Sequence, residues 1–163
     1  MWKAAFEALG STEDIVVLLA CGPKEYALEG LIVPQNFMPF PMVPQLEVLP
    51  LCNVFVTHGG MGSIMESVMC GVPMVVIPAF GDQPANADNV QKLNMGITFQ
   101  RPRETLGAES LRKAIAQLLD PTLSEEGGNC VHGGENASRR RSCQSNRAHF
   151  KCVRVSSRAD HLQ

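Results

Sequence analysis

No apolar stretch in this chain of 163 residues is long enough to cross a membrane as a helix. The two longest, residues 15–21 and 72–80, fall well short of the roughly 20 residues that a spanning helix needs, and prolines interrupt the second. The segment 1–9 mixes acid and base in a helical pattern, and it lacks the apolar core and small-residue cleavage site of a secretory signal. The sequence therefore predicts neither a membrane span nor secretion, and the expected location is cytoplasmic.

Charged residues are few, at 18% of the chain, while 45% are hydrophobic. This balance excludes the disordered and fibrous classes and is typical of one soluble domain with a sizeable core. The cysteines do not suggest the disulfide framework of a small secreted protein, because some lie in apolar surroundings and the others in a polar tail. We expect reduced thiols at all six positions, which are Cys21, Cys52, Cys70, Cys130, Cys143 and Cys152.

The composition changes abruptly near Ser124. Residues 1–123 carry 7 basic and 12 acidic residues, a net charge of −5, whereas residues 124–163 carry 7 and 4, a net charge of +3. The second segment is rich in Gly, Ser and Arg and has no hydrophobic period. We therefore predict one folded domain over 1–123 and a disordered tail over 124–163. A change of reading frame near Ser124 is one hypothesis for the switch.

Two groups of residues in the tail invite other interpretations. The Arg139–Arg141 triplet resembles a nucleic-acid patch, but an isolated triplet in such a segment is more often a solvated charge run, so no nucleic-acid partner is predicted. Zinc-ligand types occur in the tail at Cys130, His132, Cys143, His149 and Cys152. Their spacings match no usual zinc motif, and we expect no metal site there.

Short apolar runs alternate with helical patterns along the folded segment. Continuous apolar runs predict strands that are buried on both faces, at 15–21, 53–57, 74–77 and 97–99. Apolar residues at helical spacing predict helices at 3–9, 62–69, 84–95 and 111–119. This order predicts an α/β fold: a single Rossmann-like domain whose parallel sheet is flanked by helices.

Glycines and polar side chains follow the predicted strand at 53–57. His58 ends this strand, the Gly59–Gly60 pair allows a tight turn, and Ser63 and Glu66 then share one face of the next helix. In open α/β sheets, ligands bind at the carboxyl ends of the strands, where a helix N-terminus also attracts anions. The segment has neither the Gly-Lys-Ser/Thr of a Walker loop nor the third glycine of the dinucleotide fingerprint. We interpret it as a diphosphate site of another type, with Glu66 placed to accept hydrogen bonds from vicinal hydroxyls such as those of a ribose.

The same residues resemble the signature of a known family. That signature runs from an aromatic-x-Pro-Gln box through His-x-Gly-x-Asn-Ser-x-x-Glu to Gly-Val-Pro and Asp-Gln. The chain matches it in order at Pro44-Gln45, His58-Gly59-Gly60, Ser63, Glu66, Gly71-Val72-Pro73 and Asp82-Gln83. Residues from about 2 to 123 are similar to the C-terminal, donor-binding half of a family 1 glycosyltransferase of the two-domain GT-B type. Within that family the macrolide and UDP-glucosyl or glucuronosyl transferases are the nearest group.

This resemblance implies a binding site for a UDP-sugar, which is a donor substrate rather than a cofactor. Uracil would be addressed by Gln45 and its neighbouring backbone, and the diphosphate by His58 and Ser63. Glu66 would accept from the ribose hydroxyls. The predicted donor-binding set is Met42, Gln45, His58, Gly60, Gly62, Ser63, Glu66, Asp82 and Gln83. No metal ion is expected, because an imidazole and helix-end N–H groups stabilise a leaving diphosphate.

The resemblance is incomplete at two positions of this set. Met42 stands where many relatives have a tryptophan that stacks on uracil, and Gly62 stands where they have asparagine. The Asp82-Gln83 pair, by contrast, matches the family and would contact the sugar hydroxyls.

The resemblance also implies missing parts. In two-domain relatives, the N-terminal half binds the acceptor and supplies the general-base histidine. By the same resemblance, this chain would begin inside the donor domain. We therefore expect hexosyl transfer to an acceptor hydroxyl in the complete enzyme, no activity of the chain alone and no catalytic residue in it. The alternatives are a donor subunit that works in trans with a separate acceptor-binding subunit, a non-catalytic nucleotide-sugar-binding module, a fragment without a role, and an epimerase of the same architecture. The Asp82-Gln83 pair and the Pro44-Gln45 box argue against the epimerase.

Overall fold

Parallel strands form a single sheet in the computed structural model, which describes residues 2–22, 28–120 and 151–156. The described strands are β1 (Ile15–Ala20), β2 (Phe37–Phe40), β3 (Val54–Thr57), β4 (Met74–Val76), β5 (Gly96–Thr98) and β6 (Lys151–Ser156). Their order across the sheet is β2-β1-β6-β3-β4-β5, and each neighbouring pair is parallel. The α/β class and the parallel sheet predicted from the sequence are confirmed.

Helices cover both faces of this sheet. The described α-helices are α1 (Trp2–Leu9), α2 (Gln45–Val48), α3 (Met61–Met69), α4 (Gln83–Lys92), α5 (Pro102–Thr105) and α6 (Ala108–Leu119), and a 3-10 turn at Leu49–Leu51 follows α2. None of these helices combines the length and the apolarity that crossing a membrane requires.

Successive residues of the central strands point to two separate hydrophobic cores. Val54 and Val56 of β3 pack on the side of α1 and α6, whereas Phe55 packs on the side of α3 and α4. A strand that is buried on both faces has no polar face to alternate with, which explains the continuous apolar runs in the sequence. On the first side, the rings of Phe6 and Phe37 meet edge to face at 4.9 Å between centroids.

Helix α3 ends at Met69, where the sequence predicts its end, and a glycine turn follows. Gly71 has a φ of 63°, and its N–H donates to the carbonyl of Val68, while the N–H of Val72 donates to the carbonyl of Ser67. This pair of bonds is a Schellman motif, which glycine favours because it adopts positive φ without steric cost. The hydroxyl of Ser67 donates to the carbonyl of Val72 at 2.8 Å and holds the same turn.

The prediction of a disordered tail does not hold for residues 151–156. These residues form β6, which lies between β1 and β3 at the centre of the sheet, with Ile15 opposite Lys151 and Val54 opposite Val153. The alternating Cys-Val-Arg-Val-Ser pattern suits a strand, but its partners lie far away in sequence and its neighbours in the chain are polar. The rest of the predicted tail, 121–150 and 157–163, lies outside the described residues.

Strand β2 was also absent from the sequence-based prediction. It contains Pro39, which has no N–H for a sheet hydrogen bond, and it lies at an edge of the sheet, where proline is tolerated. Its Phe37 is buried, while the next three residues are exposed.

Candidate functional site

The turn after β3 depends on a glycine. Gly59 has a φ of 86°, and a Cβ atom at this position would lie 2.6 Å from Cγ1 of Val76 in the neighbouring strand. Its N–H donates to Oγ1 of Thr57 at 3.3 Å. The left-handed backbone and the close approach of β4 together leave no room for a side chain. This turn directs the chain from the carboxyl end of β3 into α3.

Helix α3 begins without a side-chain cap. Gly60 is the N-cap residue, with φ of −63° and ψ of 142°, and the first intrahelical bond runs from the N–H of Ile64 to the carbonyl of Gly60 at 3.1 Å. The N–H groups of the first helical turn precede this bond, so the helix itself supplies no acceptor for them. Gly62 adds open space, because a Cβ there would meet nothing within 4 Å. This end of the sheet therefore presents peptide N–H groups and the positive end of a helix dipole.

One hydrogen-bonded cluster joins three of the predicted site residues. The side-chain nitrogen of Gln45 donates to Oε2 of Glu66 at 2.6 Å and to Oγ of Ser63 at 3.3 Å. Gln45 and Glu66 are half-buried, whereas Ser63 is fully buried. Ser63 and Glu66 of α3 follow Gln45 of α2 by 18 and 21 positions in the sequence, and the fold brings the three side chains together.

A charged residue from the C-terminal strand enters the same cluster. The Nη1 group of Arg154 donates to Oε1 of Gln45, and the guanidinium carbon lies 5.2 Å from the ring centroid of Phe55. The Gln45 amide therefore accepts from a cation through its oxygen and donates to a carboxylate through its nitrogen. Arg154 was not among the predicted site residues, because its segment was predicted to be a disordered tail.

A second cluster lies at the start of α4. Asn86 is buried, and its side-chain nitrogen donates to the carbonyl of Gly59 at 3.0 Å and to Oδ2 of Asp82 at 2.9 Å. It therefore ties the turn after β3 to the exposed carboxylate of Asp82. Asn86 was not predicted from the sequence, where its one local signal is its place about one helical turn after Asp82.

Gln83 has a structural role in the loop before α4. Its Oε1 accepts from the backbone N–H groups of Ala79 at 2.9 Å and Phe80 at 3.1 Å, and its side chain is 5% exposed. The side chain thus holds the loop between β4 and α4 in place. The structure also buries His58, to 7% exposed, at the end of β3, and it leaves Met42 66% exposed before α2.

No cluster of three or more metal-ligating side chains occurs among residues 2–22, 28–120 and 151–156. Of the zinc-ligand types named in the tail, only Cys152 lies in this part of the chain, where its Sγ is 3.4 Å from Sγ of Cys52.

Comparison with protein families identifies the domain. The family described as erythromycin biosynthesis protein CIII-like, C-terminal domain, matches residues 7–141. The chain belongs to this EryCIII-like C-terminal domain family. The resemblance to the C-terminal half of a family 1 glycosyltransferase is confirmed.

Curated relatives of the chain are transferases. It is 38% identical over 103 residues to an uncharacterized UDP-glucosyltransferase, YdhE, from Bacillus subtilis, which covers 63% of this chain and 26% of the relative. It is 40% identical over 106 residues to UDP-glucuronosyltransferase 3A1 from Mus musculus, covering 64% of this chain and 20% of the relative. The matched part is thus about a quarter or less of these relatives.

Solved structures share the fold. The glycotransferase of kitacinnamycin superposes with a TM-score of 0.67 at 33% identity, covering 88% of this chain and 35% of the other. Os79 from O. sativa in complex with UDP superposes with a TM-score of 0.66 at 22% identity, covering 88% of this chain and 36% of the other. The second likeness shows the fold alone.

Proposed function

We propose that this domain binds a UDP-sugar at the carboxyl end of its sheet, as the donor half of an enzyme that transfers a hexosyl group to an acceptor hydroxyl. The observation that carries the proposal is the Gln45, Ser63 and Glu66 cluster beside the uncapped start of α3. Membership of a glycosyltransferase domain family supports it. A fold neighbour solved with UDP is consistent with the same ligand class.

The diphosphate part of the ligand fits the start of α3. Its charge matches the positive end of the helix dipole, and the peptide N–H groups after Gly60 are suitable donors to phosphate oxygens. His58 follows β3 at the same turn. When the anomeric C–O bond breaks, charge develops on the leaving β-phosphate, and donors that are already oriented stabilise it.

The ribose fits the carboxylate of Glu66. Oε2 of Glu66 accepts from Gln45, so Oε1 is the oxygen that would accept from a ribose hydroxyl. Gln45 then acts at the site mainly by orienting Glu66, and Ser63 acts from inside the cluster because its hydroxyl is fully buried. The resemblance implied direct contacts of Gln45 with uracil and of Ser63 with the diphosphate, whereas these proposed roles are indirect.

The sugar fits the start of α4. Asp82 is exposed and is oriented by Asn86 through the 2.9 Å bond to Oδ2. The oxygen of Gln83 is occupied by backbone N–H groups, so only its amide nitrogen would serve a sugar hydroxyl. We therefore assign the main sugar contact to Asp82.

Calorimetric titration with UDP tests the proposal through Glu66→Ala. Loss of the ribose hydrogen bonds should weaken binding by about 1–3 kcal/mol, which is a rise in Kd of roughly 5-fold to 150-fold. Glu47→Ala is the matched control, because Glu47 is an exposed carboxylate of the adjacent helix α2 and should leave the Kd unchanged. An unchanged Kd for Glu66→Ala would refute the role of this carboxylate.

His58→Ala separates the two parts of the ligand. The substitution should weaken binding of UDP more than binding of uridine, because only UDP carries the diphosphate. Equal losses for the two ligands would argue against a place for His58 at the phosphates. Titration with TDP in the same series measures the preference for uracil over thymine.

A transfer assay distinguishes an enzyme from a binding module. Release of UDP from a UDP-hexose in the presence of an acceptor alcohol would assign catalysis to this chain. Binding without turnover would favour the non-catalytic module, and turnover only after a second protein is added would favour a donor subunit that works in trans.

A further inference from the structure

Arg154 is a buried cation at the centre of the sheet. Within residues 2–22, 28–120 and 151–156 it is the one lysine, arginine or carboxylate side chain that is buried, with 1% of its surface exposed. Moving a charge out of water is costly unless hydrogen bonds and packing compensate. The contacts of Arg154 therefore show which groups compensate for burying its charge.

The register of β6 fixes where this side chain goes. Arg154 lies opposite Leu18 of β1 and Phe55 of β3, and its guanidinium carbon is 5.2 Å from the Phe55 ring centroid. Its neighbours Val153 and Val155 point to the other face of the sheet, into the core with α1 and α6. Arg154 thus lies on the face that carries α2 and α3.

The guanidinium selects one orientation of the Gln45 amide. Nη1 of Arg154 donates to Oε1 of Gln45, and Nε2 of Gln45 donates to Oε2 of Glu66 at 2.6 Å and to Oγ of Ser63 at 3.3 Å. If the amide were turned by half a rotation, its NH₂ group would face a cation and its oxygen would face a carboxylate. Both contacts would be unfavourable, so Arg154 and Glu66 together hold the amide in place.

We propose that Arg154 is a positioning residue for the donor site, which acts through Gln45 to hold the Glu66 carboxylate in the orientation that receives a ribose. This inference rests on the proposed function, since it concerns the same site. Arg154 lies outside residues 7–141, which match the family, so the family match does not assign it a role. The C-terminal strand thereby contributes a polar contact to the site as well as a place in the sheet.

Binding by Arg154→Met in the full chain tests this role with two ligands. UDP affinity should fall by about 5-fold to 50-fold, because Glu66 loses its support, while affinity for pyrophosphate, which has no ribose, should stay within about twofold. Val153→Ala is the matched control: it lies in the same strand, is equally buried and faces the other way. It should lower the melting temperature and leave both affinities per folded molecule unchanged. Equal weakening of UDP and pyrophosphate by Arg154→Met would indicate general structural damage and overturn the inference.

A double-mutant cycle with Gln45→Ala tests the route of the effect. Once Gln45 is removed, Arg154→Met should cost little further UDP affinity, because its contact with the cluster is already lost. Independent, multiplicative losses in Kd would show that Arg154 does not act through Gln45.

Arg154→Lys covers the case in which Arg154→Met does not fold. Lysine keeps the charge and the apolar stem, but its ammonium ends about one bond short of the arginine Nη1 atoms and lacks the planar fork. The folded variant should bind UDP more weakly than the native chain, and native affinity would overturn the inference. If the native chain itself fails to bind UDP, both this inference and the proposed function fail. If it binds and both Arg154 variants bind equally well, only this inference fails.

Discussion

The two halves of the sheet differ in how their strands are connected. In one half, β3, β4 and β5 are consecutive in the chain and adjacent in space. In the other, β6 lies between β1 and β3, and Ile15 is paired with Lys151. Adjacent strands joined by a helix are the commonest arrangement in α/β folds and can be recognised locally. A strand that enters the sheet from a distant segment gives no such local signal.

The largest expected effect comes from introducing a buried charge into each half of the sheet. Val153 of β6 and Val56 of β3 are both buried to 1% or less, on the same face of the sheet. Substitution of either by aspartate should lower the free energy of unfolding by more than about 4 kcal/mol, because an unpaired carboxylate cannot be accommodated there. Chemical unfolding followed by circular dichroism measures both.

Lys151→Asp is the control for this pair, since Lys151 is exposed at the start of β6 and its replacement should change stability little. If Val153→Asp were as harmless as the control while Val56→Asp unfolded the domain, β6 would not belong at the centre of the sheet.

A cross-link between the two halves should form at one pair of cysteines. Sγ of Cys52, which precedes β3, lies 3.4 Å from Sγ of Cys152 in β6. A disulfide oxidant such as oxidised glutathione should accept the two electrons and convert the two thiols into one bond. Because 100 positions separate the residues, the closed loop should raise the free energy of unfolding by roughly 2–4 kcal/mol.

Peptide mass mapping without reductant would identify the cross-linked peptides. Cys152→Ser should abolish both the cross-link and the stabilisation. Preferential bonding of Cys52 to Cys21 or Cys70 instead would contradict the placement of β6.

In the half formed by β3, β4 and β5, Gly59→Ala tests the turn after β3. The positive φ of 86° and the 2.6 Å approach of Val76 predict a loss of about 1–3 kcal/mol in stability. Thermal unfolding measures this loss. Unchanged stability would mean that the turn adopts another backbone conformation.

The smallest expected effect belongs to Gly62→Ala, three residues further along. Gly62 has no positive φ and open space around its Cβ position, and it lies in the first turn of α3. Alanine should raise stability by about 0.5–1 kcal/mol because it favours helix more than glycine does. A loss instead of a gain would show that this glycine is needed for the approach of another group.

The class of fold, the burial of β1, β3 and β4 on both faces, and the end of α3 at Met69 were predicted from the sequence, because each depends on neighbouring residues. The sequence also indicated Ser63 and Glu66, from their places in the helix that follows a buried strand, whereas Gln45 came only by resemblance to a family. The clustering of Gln45 with the other two depends on how α2 packs on α3, which no local pattern contains.

The features that were missed have different causes. The position of β6, and with it the contact of Arg154 with Gln45, comes from pairing between remote segments, and the polar residues around the strand concealed its Val-Arg-Val core. Asn86 was missed for a milder reason: its two hydrogen bonds link a helix to a loop, and only the folded chain brings these together.

Amide chemical shifts during titration with UDP would locate the nucleotide on the domain. In a ¹H–¹⁵N spectrum of the full chain, we expect the largest changes at Gly60, Met61 and Gly62, where the start of α3 would meet the diphosphate, with smaller changes around Asp82. The amides of Asp14 and Lys151, at the opposite end of the sheet, should stay in place. Absence of any change, or changes centred on that opposite end, would contradict the assignment of a nucleotide-sugar site to this domain.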